Sequence, residues 1–282
     1  MVQSAARVVR IFNNNAVLVS IDGVETVLAG RGIGFGKRPG DIIPAGDAQR
    51  QFIEASPDKV DFLTSVNALD PHLVSIVSEA VELATNVLSD LDSSVYVLLV
   101  DHLAFAVQRH RDGYAISNKL VDEIRIAFGP EFTAAQMMVH FVNENLNVEL
   151  PIDEVAFIAL HLNAARTGAT VKQPLSEVNK LGAIVELITT EFNGQETAEI
   201  NELLRTINGF ITRIQAGIWR TNETAPVIET LLREEFSVAQ RAITYIAQPG
   251  TAPLKIANEA AYLAVFLHGW RQSSTSAQND AQ

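Results

Sequence analysis

The sequence predicts a multidomain protein in which a small antiparallel all-β domain is followed by two all-α helical bundle domains. Three observations lead to this prediction. Short runs rich in Val and Ile, separated by turn residues, occupy residues 5–45. From Asp70 to about Trp270 the apolar residues recur at the three-to-four spacing of amphipathic helices. Stretches of the helical part also align with each other, which indicates an internal duplication.

The first part of the chain is predicted to form three strands, over residues 7–12, 16–21 and 24–28. Asn13-Asn14 and Asp22-Gly23 supply the turn residues between them. A sheet domain of about 55 residues has little apolar core of its own. We therefore expect this domain to form a homodimer.

The helical part is predicted to begin at Asp70, a good N-cap residue, with Pro71 in the first helical position. The polar segment 272–282 is predicted to be disordered. Helix breaks are predicted where turn-forming residues cluster, at Asp92-Ser93-Ser94, Arg111-Asp112-Gly113, Gly129-Pro130, Leu150-Pro151, Thr167-Gly168, Asn193-Gly194 and Gln248-Pro249-Gly250.

The duplication is visible in two pairs of segments. Residues 154–162 align with residues 259–267 at a constant offset of 105, with shared Glu, aromatic and Ala positions. Residues 101–109 align with residues 212–220. The alignment predicts two bundles of about 100 residues each, joined near residues 166–173.

Composition excludes several classes of protein. No apolar run approaches the roughly 18–20 residues that a membrane-spanning helix needs, so no membrane insertion is expected. The chain has no cysteine, which excludes disulfides and thiolate metal sites. The N-terminus lacks the pattern of a signal peptide. These features predict a cytoplasmic protein.

Charge is distributed unevenly along the chain. Five Lys or Arg and two Asp or Glu give residues 1–40 a net charge of +3, which leaves −15 for the rest of a chain whose total is −12. A small basic N-terminal segment in an otherwise acidic chain favours localised contact with RNA. A β domain whose charges arose by chance explains the charge distribution equally well.

Two segments of the β domain combine residue types that recognise RNA. Three consecutive amides stand between two strands, and amides can read base edges. An arginine between two glycines can hold phosphate or stack, and a nearby phenylalanine can stack on an unpaired base. The candidate RNA contacts are Arg10, Asn13, Asn15, Gly30, Arg31 and Phe35.

These segments, in this order, resemble the RNA-binding domain of bacterial transcriptional antiterminators of the BglG, SacY and LicT type. That family carries two helical phosphotransferase-system (PTS) regulation domains after its RNA-binding domain, so the resemblance covers nearly the whole chain. It implies an RNA-binding (co-antiterminator) domain in residues 1–60, regulation domains in residues 66–170 and 171–276, and a disordered tail in residues 277–282. It also implies a protein that is not an enzyme and needs no cofactor.

The resemblance implies a sugar-responsive antiterminator of a beta-glucoside-type operon. A homodimer would bind a hairpin in the nascent leader RNA, block an overlapping terminator hairpin and let transcription continue. Phosphate from a sugar-specific phosphotransferase permease (enzyme II) on the first regulation domain would disfavour the active dimer. Asn15, Gly30, Arg31 and Phe35 match the family's contact positions best.

Two of the six histidines are candidates for reversible phosphorylation. His102 and His161 lie in apolar stripes of predicted helices. A histidine in such a stripe is more often a core residue whose ring nitrogens have hydrogen-bond partners. By resemblance, Asp-His-Leu at His102 and Phe-Ile-Ala-Leu-His ending at His161 match the phosphorylatable motifs of the family's first regulation domain. Arg109 matches a family arginine that could pair with phosphate. His72, His110 and His140 match no motif and are expected at the surface or at helix ends.

The second regulation domain departs from the family pattern. Arg213 and Phe266 occupy the positions of its two expected histidines. His268 lies two residues beyond Phe266, about 200° around a helix, and so points to a different face. The second regulation domain is therefore expected to lack the activating phosphorylation through the general phosphocarrier protein. Arg213 is expected to find an acidic partner and hold the domain in one packed state.

Two other functions compete with this hypothesis. One is an enzyme or metalloprotein that uses His102 and His161, but the chain lacks the usual motifs of hydrolases, zinc proteases and nucleotide-binding enzymes. No catalytic residue and no metal ligand is predicted. The other is a DNA-binding regulator, but no helix-turn-helix pattern precedes the helical domains.

Overall fold

The structure is a computed structural model that describes residues 6–13, 16–29, 33–43, 51–54, 71–88, 91, 94–192 and 197–279 of the 282. A small antiparallel sheet is followed by a mostly helical body, as predicted. The sheet has the strand order β4-β1-β2-β3-β5. Its strands are β1 (Ala6–Asn13), β2 (Ala16–Ile21), β3 (Val24–Ala29), β4 (Ile42–Ile43) and β5 (Gln51–Glu54).

One face of the sheet carries a small apolar core. Alternating residues of the strands, such as Val8, Val17 and Val19, are buried there. The pairing of β1 with β2 shifts register between Val8 and Arg10, as in a β-bulge. The bulge places two consecutive residues of β1 on the exposed side, and Arg10 is one of them. The predicted hairpin at Asp22-Gly23 is confirmed, since both residues have positive φ, 51° and 82°.

Ten helices lie in the described part of the chain. The first five are α1 (Pro71–Val87), α2 (Ser94–Arg111), α3 (Val121–Ala127), α4 (Gly129–Leu146) and α5 (Ile152–Thr167). The second five are α6 (Lys172–Glu191), α7 (Thr197–Gln215), α8 (Ala225–Leu231), α9 (Arg233–Ile246) and α10 (Pro253–Asn279).

The chain divides into two compact units. The first unit comprises Met1–Val121 and Phe128–Pro174, and the second comprises Asp122–Ala127 and Leu175–Gln282. In the first unit α4 packs on α1 and α5, and α2 packs on α1 and α5. In the second unit α9 packs on α10, and both contact α7 and α8.

Helix α3 differs from this simple division. Its residues 122–127 belong to the second unit, although the sequence resemblance assigns them to the first regulation domain. The physical reason is packing, because Ile126 and Ala127 lie against the apolar core of the second unit.

Five of the seven predicted helix breaks agree with observed helix ends, those at 111–113, 129–130, 150–151, 167–168 and 248–250. Asn193-Gly194 and the first two residues of Asp92-Ser93-Ser94 lie outside the described residues. The break at Leu232, between α8 and α9, was not predicted. Two further differences concern α7 and α10. Helix α7 ends at Gln215, near Gly217, whose φ is +75°. The sequence prediction missed this break. Helix α10 continues to Asn279 and so includes most of the polar segment predicted to be disordered; residues 280–282 lie outside the described residues. Polar residues without proline are compatible with a continuing helix. No helix among the described residues has the length and apolar character to cross a membrane.

Candidate functional site

The structure describes part of the predicted RNA-contact set. Arg10 and Phe35 are exposed. Asn13 is the last residue of β1, and its side chain is not described. Asn15, Gly30 and Arg31 lie outside the described residues.

Phe35 stands out from a turn that is anchored on both sides. Ile33 and Gly34 are buried, whereas 73% of Phe35 is exposed. The backbone N–H of Lys37 donates to the carbonyl of Gly34 at 3.2 Å, which closes the turn. An exposed aromatic on an anchored turn is suited to base stacking, because it loses little conformational freedom when a base stacks on it.

The segment after this turn is tied to the edge of β1. The N–H of Gly40 donates to the carbonyl of Val8 at 2.7 Å, and the N–H of Val8 donates to the carbonyl of Asp41 at 2.8 Å. Asp41 also accepts a hydrogen bond from the N–H of Arg38 through its side chain, at 2.8 Å. These bonds fix the loop that carries Phe35 relative to the strand that carries Arg10.

In the first helical unit a buried carboxylate joins the predicted histidine and arginine. Glu154 lies near the start of α5, and its side chain is 3% exposed. His102 Nε2 lies 3.0 Å from Glu154 Oε2, and Arg109 Nη2 donates to Glu154 Oε1 at 2.5 Å. Burial acts to raise the pKa of the Glu154 carboxyl, but the hydrogen bonds from His102 and Arg109 outweigh it and hold the pKa below its usual value.

His161 lies beside His102, with the ring centroids 5.6 Å apart. Its Nδ1 atom is buried and has no hydrogen-bond partner among the described residues. Burial, and then the nearby His102, lower the pKa of His161 to about 4. The ring is therefore neutral near pH 7.

His102 lies on a mixed face of α2. Leu99 and Ala106 are buried, as the apolar stripe predicts, but Leu98 and Phe105 are 43% and 47% exposed. The apolar stripe predicted around His102 is therefore only partly buried. The His102 side chain is 20% exposed, so part of it is accessible from solvent.

The second unit repeats this arrangement with an arginine in place of the histidine. Glu259 of α10 is fully buried and receives hydrogen bonds from Arg213 and Arg220. Arg213 Nη2 donates to Glu259 Oε2 at 2.8 Å, and Arg220 Nη2 donates to the same oxygen at 2.9 Å. The backbone N–H of Arg220 donates to Glu259 Oε1 at 2.7 Å. The prediction that Arg213 finds an acidic partner is confirmed.

Aromatic rings enclose the two guanidinium groups. The Arg213 guanidinium lies 5.1 Å from the ring centroid of Phe210. The Arg220 guanidinium lies 4.9 Å from Phe210 and 4.0 Å from Tyr262. Burial acts to raise the pKa of Glu259, but the hydrogen bonds from Arg213 and Arg220 lower it below its usual value. Charge, hydrogen bonding and cation–π contacts together hold this cluster in one arrangement.

The two clusters align residue by residue with the sequence duplication. Glu259 takes the place of Glu154, Arg220 that of Arg109, and Arg213 that of His102. We call them the His–Glu–Arg cluster (His102, Glu154, Arg109) and the Arg–Glu–Arg cluster (Arg213, Glu259, Arg220). The sequence prediction named His102, Arg109 and Arg213. It missed Arg220 and both glutamates, although all three stood in the aligned segments.

A second repeated contact was also missed by sequence reasoning. In the first unit Glu131 accepts hydrogen bonds from Asn163 at 3.2 Å and from Arg166 at 2.8 Å. In the second unit Glu235 pairs with His268 at 3.2 Å and with Arg271 at 2.8 Å. His268 thus lies on a different face from Phe266, as predicted, and takes part in a polar contact between α9 and α10.

The remaining histidines lie where the sequence predicts them. His72 is exposed at the start of α1, and His140 is exposed on α4. His110 is in the last turn of α2. Among the residues that the structure describes, no group of three or more His, Asp or Glu side chains is arranged to hold a metal ion.

Two family models match the chain in the regions just described. The CAT RNA binding domain matches residues 6–60, and the PRD domain matches residues 76–165. The chain is 30% identical to a beta-glucoside operon antiterminator of Dickeya chrysanthemi over 242 residues, which cover 83% of this chain and 84% of that protein. It is 27% identical to transcription antiterminator LicT of Bacillus subtilis over 212 residues, 74% of this chain and 75% of that protein.

Two further similarities concern GlcT proteins. The chain is 26% identical to protein GlcT of Staphylococcus saprophyticus over 270 residues, 93% of this chain and 95% of that protein. A solved structure described as the crystal structure of GlcT CAT-PRDI matches with a TM-score of 0.46 and 29% identity, covering 58% of this chain and 99% of the other.

The Arg–Glu–Arg cluster makes a testable contribution to stability. Glu259→Ala leaves two cations without their buried carboxylate, and we expect it to lower the free energy of unfolding by about 3 kcal/mol. Urea unfolding of the full chain measures this change. Glu234→Ala is the matched control, because Glu234 is 78% exposed and pairs with Arg271 at the surface, at 3.3 Å. This substitution should change the free energy of unfolding by less than about 0.5 kcal/mol. Equal effects of the two substitutions would contradict the assigned role of Glu259.

His161 should make the first unit sensitive to acid. Its pKa is lowered from 6.5 to about 4 in the folded chain, so between these values the unfolded chain binds a proton that the folded chain does not. Stability should therefore fall as the pH drops from 7 to 5, by on the order of 1–2 kcal/mol.

The control for this pH dependence is His161→Phe, which introduces the residue type found at the aligned Phe266. Urea unfolding at pH 7 and pH 5 should show a smaller loss for the variant than for the unaltered chain. The same pH dependence in both proteins would show that His161 is not the titrating group.

Proposed function

The chain belongs to the family of transcriptional antiterminators that includes the beta-glucoside operon antiterminators, and from this premise we propose how its parts carry out that function. The protein is an RNA-binding antiterminator that is regulated by phosphorylation through the phosphotransferase system. The observation that carries the proposal is the neighbouring pair His102 and His161 in a unit that matches the PRD domain, following a sheet that matches the CAT RNA binding domain.

RNA binding is assigned to the β domain, residues 1–60. Arg10 and Phe35 are exposed there, and the segment is basic while the remainder of the chain is acidic. Asn13, Asn15, Gly30 and Arg31 complete the proposed contact set. A homodimer of this small domain would bind one leader-RNA hairpin and prevent the terminator from forming.

Inhibition of antitermination by phosphorylation is assigned to the first regulation domain, residues 66–170. Phosphate on His102 or His161 would add roughly two negative charges to a partly apolar helix face. A group of that charge cannot stay buried and unpaired, so the packing of the domain must change. The donor is proposed to be a sugar-specific enzyme II of the phosphotransferase system, which loads the histidines when its sugar is absent.

The second regulation domain, residues 171–276, is proposed to lack this input. Arg213 is permanently cationic and cannot carry a phosphoryl group, and Phe266 has no nucleophile. The Arg–Glu–Arg cluster holds Arg213 against Glu259 with two hydrogen bonds. This half of the protein therefore stays in one packed state, and the first domain is the only switch.

The first functional prediction concerns base stacking by Phe35. Phe35→Ala should weaken binding of the full chain to its own leader RNA by about 1–3 kcal/mol, because one base loses its stacking partner. Arg31→Ala should weaken binding and reduce its dependence on salt. Titration of labelled RNA at several salt concentrations measures both effects.

The control for RNA binding is Tyr114→Ala, which removes an aromatic that is 71% exposed in the helical body. It should leave the affinity unchanged. Undiminished affinity in the Phe35→Ala, Arg31→Ala double variant would remove the basis for the proposed contact set.

The second functional prediction concerns repression. His102→Ala or His161→Ala should give antitermination without the inducing sugar, because the inhibitory phosphate has no acceptor. A reporter placed behind the leader measures this. His140→Ala removes an exposed histidine of α4 and should leave repression intact. Normal repression in both single variants and in their double variant would rule out these acceptors.

The third functional prediction concerns the second domain. Cells that cannot phosphorylate through the general phosphocarrier protein should still show antitermination, since Arg213 and Phe266 leave no acceptor for an activating phosphate. The same reporter, read in such cells, tests this. Loss of antitermination, or an activating phosphate on His268, would mean that the domain has kept its input by another route.

A further inference from the structure

The His–Glu–Arg cluster also bears on which ring nitrogen of His102 can react. A neutral histidine carries its proton on one ring nitrogen and a lone pair on the other, and only the nitrogen with the lone pair can attack phosphorus. The hydrogen bond made by one nitrogen decides which tautomer is present. The contacts of His102 therefore bear on the atom that receives phosphate.

The contact at Nε2 is with a carboxylate that is ionised. Glu154 Oε1 accepts a hydrogen bond from Arg109 at 2.5 Å, and Glu154 Oε2 lies 3.0 Å from His102 Nε2. A carboxylate in this state has no hydrogen to donate, so Nε2 must carry the proton of the pair. In the opposite tautomer the Nε2 lone pair would face the anionic oxygen.

The other ring nitrogen of His102, Nδ1, is available to react with phosphorus. Nδ1 makes no hydrogen bond to the described residues, and 20% of the His102 side chain is exposed. His161 differs, because its buried Nδ1 has no hydrogen-bond partner among the described residues. The two neighbouring histidines are thus not equivalent acceptors.

We infer that Glu154 is a positioning residue that holds the proton of His102 on Nε2 and so directs phosphoryl transfer to Nδ1. This inference rests on the proposed function and specifies the atom at which it operates. The phosphoryl donor is a phosphorylated side chain of a phosphotransferase protein.

Phosphoryl transfer to Nδ1 needs no separate general base. The Nδ1 lone pair forms a bond to phosphorus, the bond between phosphorus and the donor side chain breaks, and its electron pair stays on the donor atom. No proton leaves His102. The phosphorylated ring is cationic, and its Nε2–H remains directed at Glu154, which stabilises that charge.

Nuclear magnetic resonance of the full chain with 15N-labelled histidine tests the tautomer. Long-range proton–nitrogen correlations should show His102 protonated on Nε2. In Glu154→Gln, Arg109 should retain the amide oxygen and turn the amide NH2 group toward His102, which should move the ring proton to Nδ1.

Glu131→Gln is the matched control. Glu131 is also a buried carboxylate of the first unit paired with an arginine, but its hydrogen bonds go to Asn163 and Arg166 rather than to a histidine. It should leave the His102 tautomer unchanged. The same tautomer in the unaltered chain and in Glu154→Gln would overturn the inference.

The second measurement locates the phosphate. The full chain is treated with phosphoramidate or with phosphorylated phosphotransferase proteins, and phosphorus–nitrogen couplings identify the ring atom. Phosphate on Nδ1 of His102 supports the inference. Phosphate on Nε2 of His102 overturns it and leaves the proposed function intact. Phosphate on Nδ1 from phosphoramidate, with none from the donor proteins, supports the inference and contradicts the proposed function.

Discussion

Each helical unit is organised around a buried carboxylate that has to be paired. An ionised carboxylate removed from water is costly unless cations and hydrogen-bond donors surround it. Glu154 and Glu259 meet this requirement with residues from another helix of the same unit, α2 for Glu154 and α7 for the Arg213 contact to Glu259. The requirement fixes the register of α2 against α5 and of α7 against α10, and the apolar residues then pack around that register.

The two clusters differ at one position, and the difference separates a switchable unit from a fixed one. His102 is a nucleophile that can take up and release a phosphoryl group, whereas Arg213 is a permanent cation. The arginine also makes two hydrogen bonds to Glu259 and packs over Phe210, so it strengthens the arrangement that it occupies. We propose that the second unit, which has neither histidine at the matching positions, does not receive the signal.

The first strands, most helix breaks and the internal duplication could be predicted from the sequence, because each is a pattern in the order of residues along the chain. The first three strands and the pairing of Arg213 with an acidic residue are examples. Glu154 and Glu259 were not identified. Glu154 lies in the first turn of α5, where a glutamate looks like a surface charge that favours the helix dipole. Glu259 lies in the second turn of α10 and looks like any other charge on an amphipathic helix. Their partners lie 52 and 46 residues away in the chain, beyond the reach of any periodicity. The bulge in β1, the transfer of α3 to the second unit and the Glu131 and Glu235 contacts depend in the same way on tertiary packing.

The central claim is that the residue paired with the buried glutamate decides whether a unit accepts phosphate. The most direct measurement is mass spectrometry of phosphohistidine, under non-acidic conditions, in an Arg213→His variant exposed to phosphorylated phosphotransferase proteins. The account predicts phosphate at position 213 as well as on the first unit, because the substitution recreates the contacts of His102 around Glu259. Phosphate on His102 in the same sample, with none at position 213 of a folded chain, would contradict it.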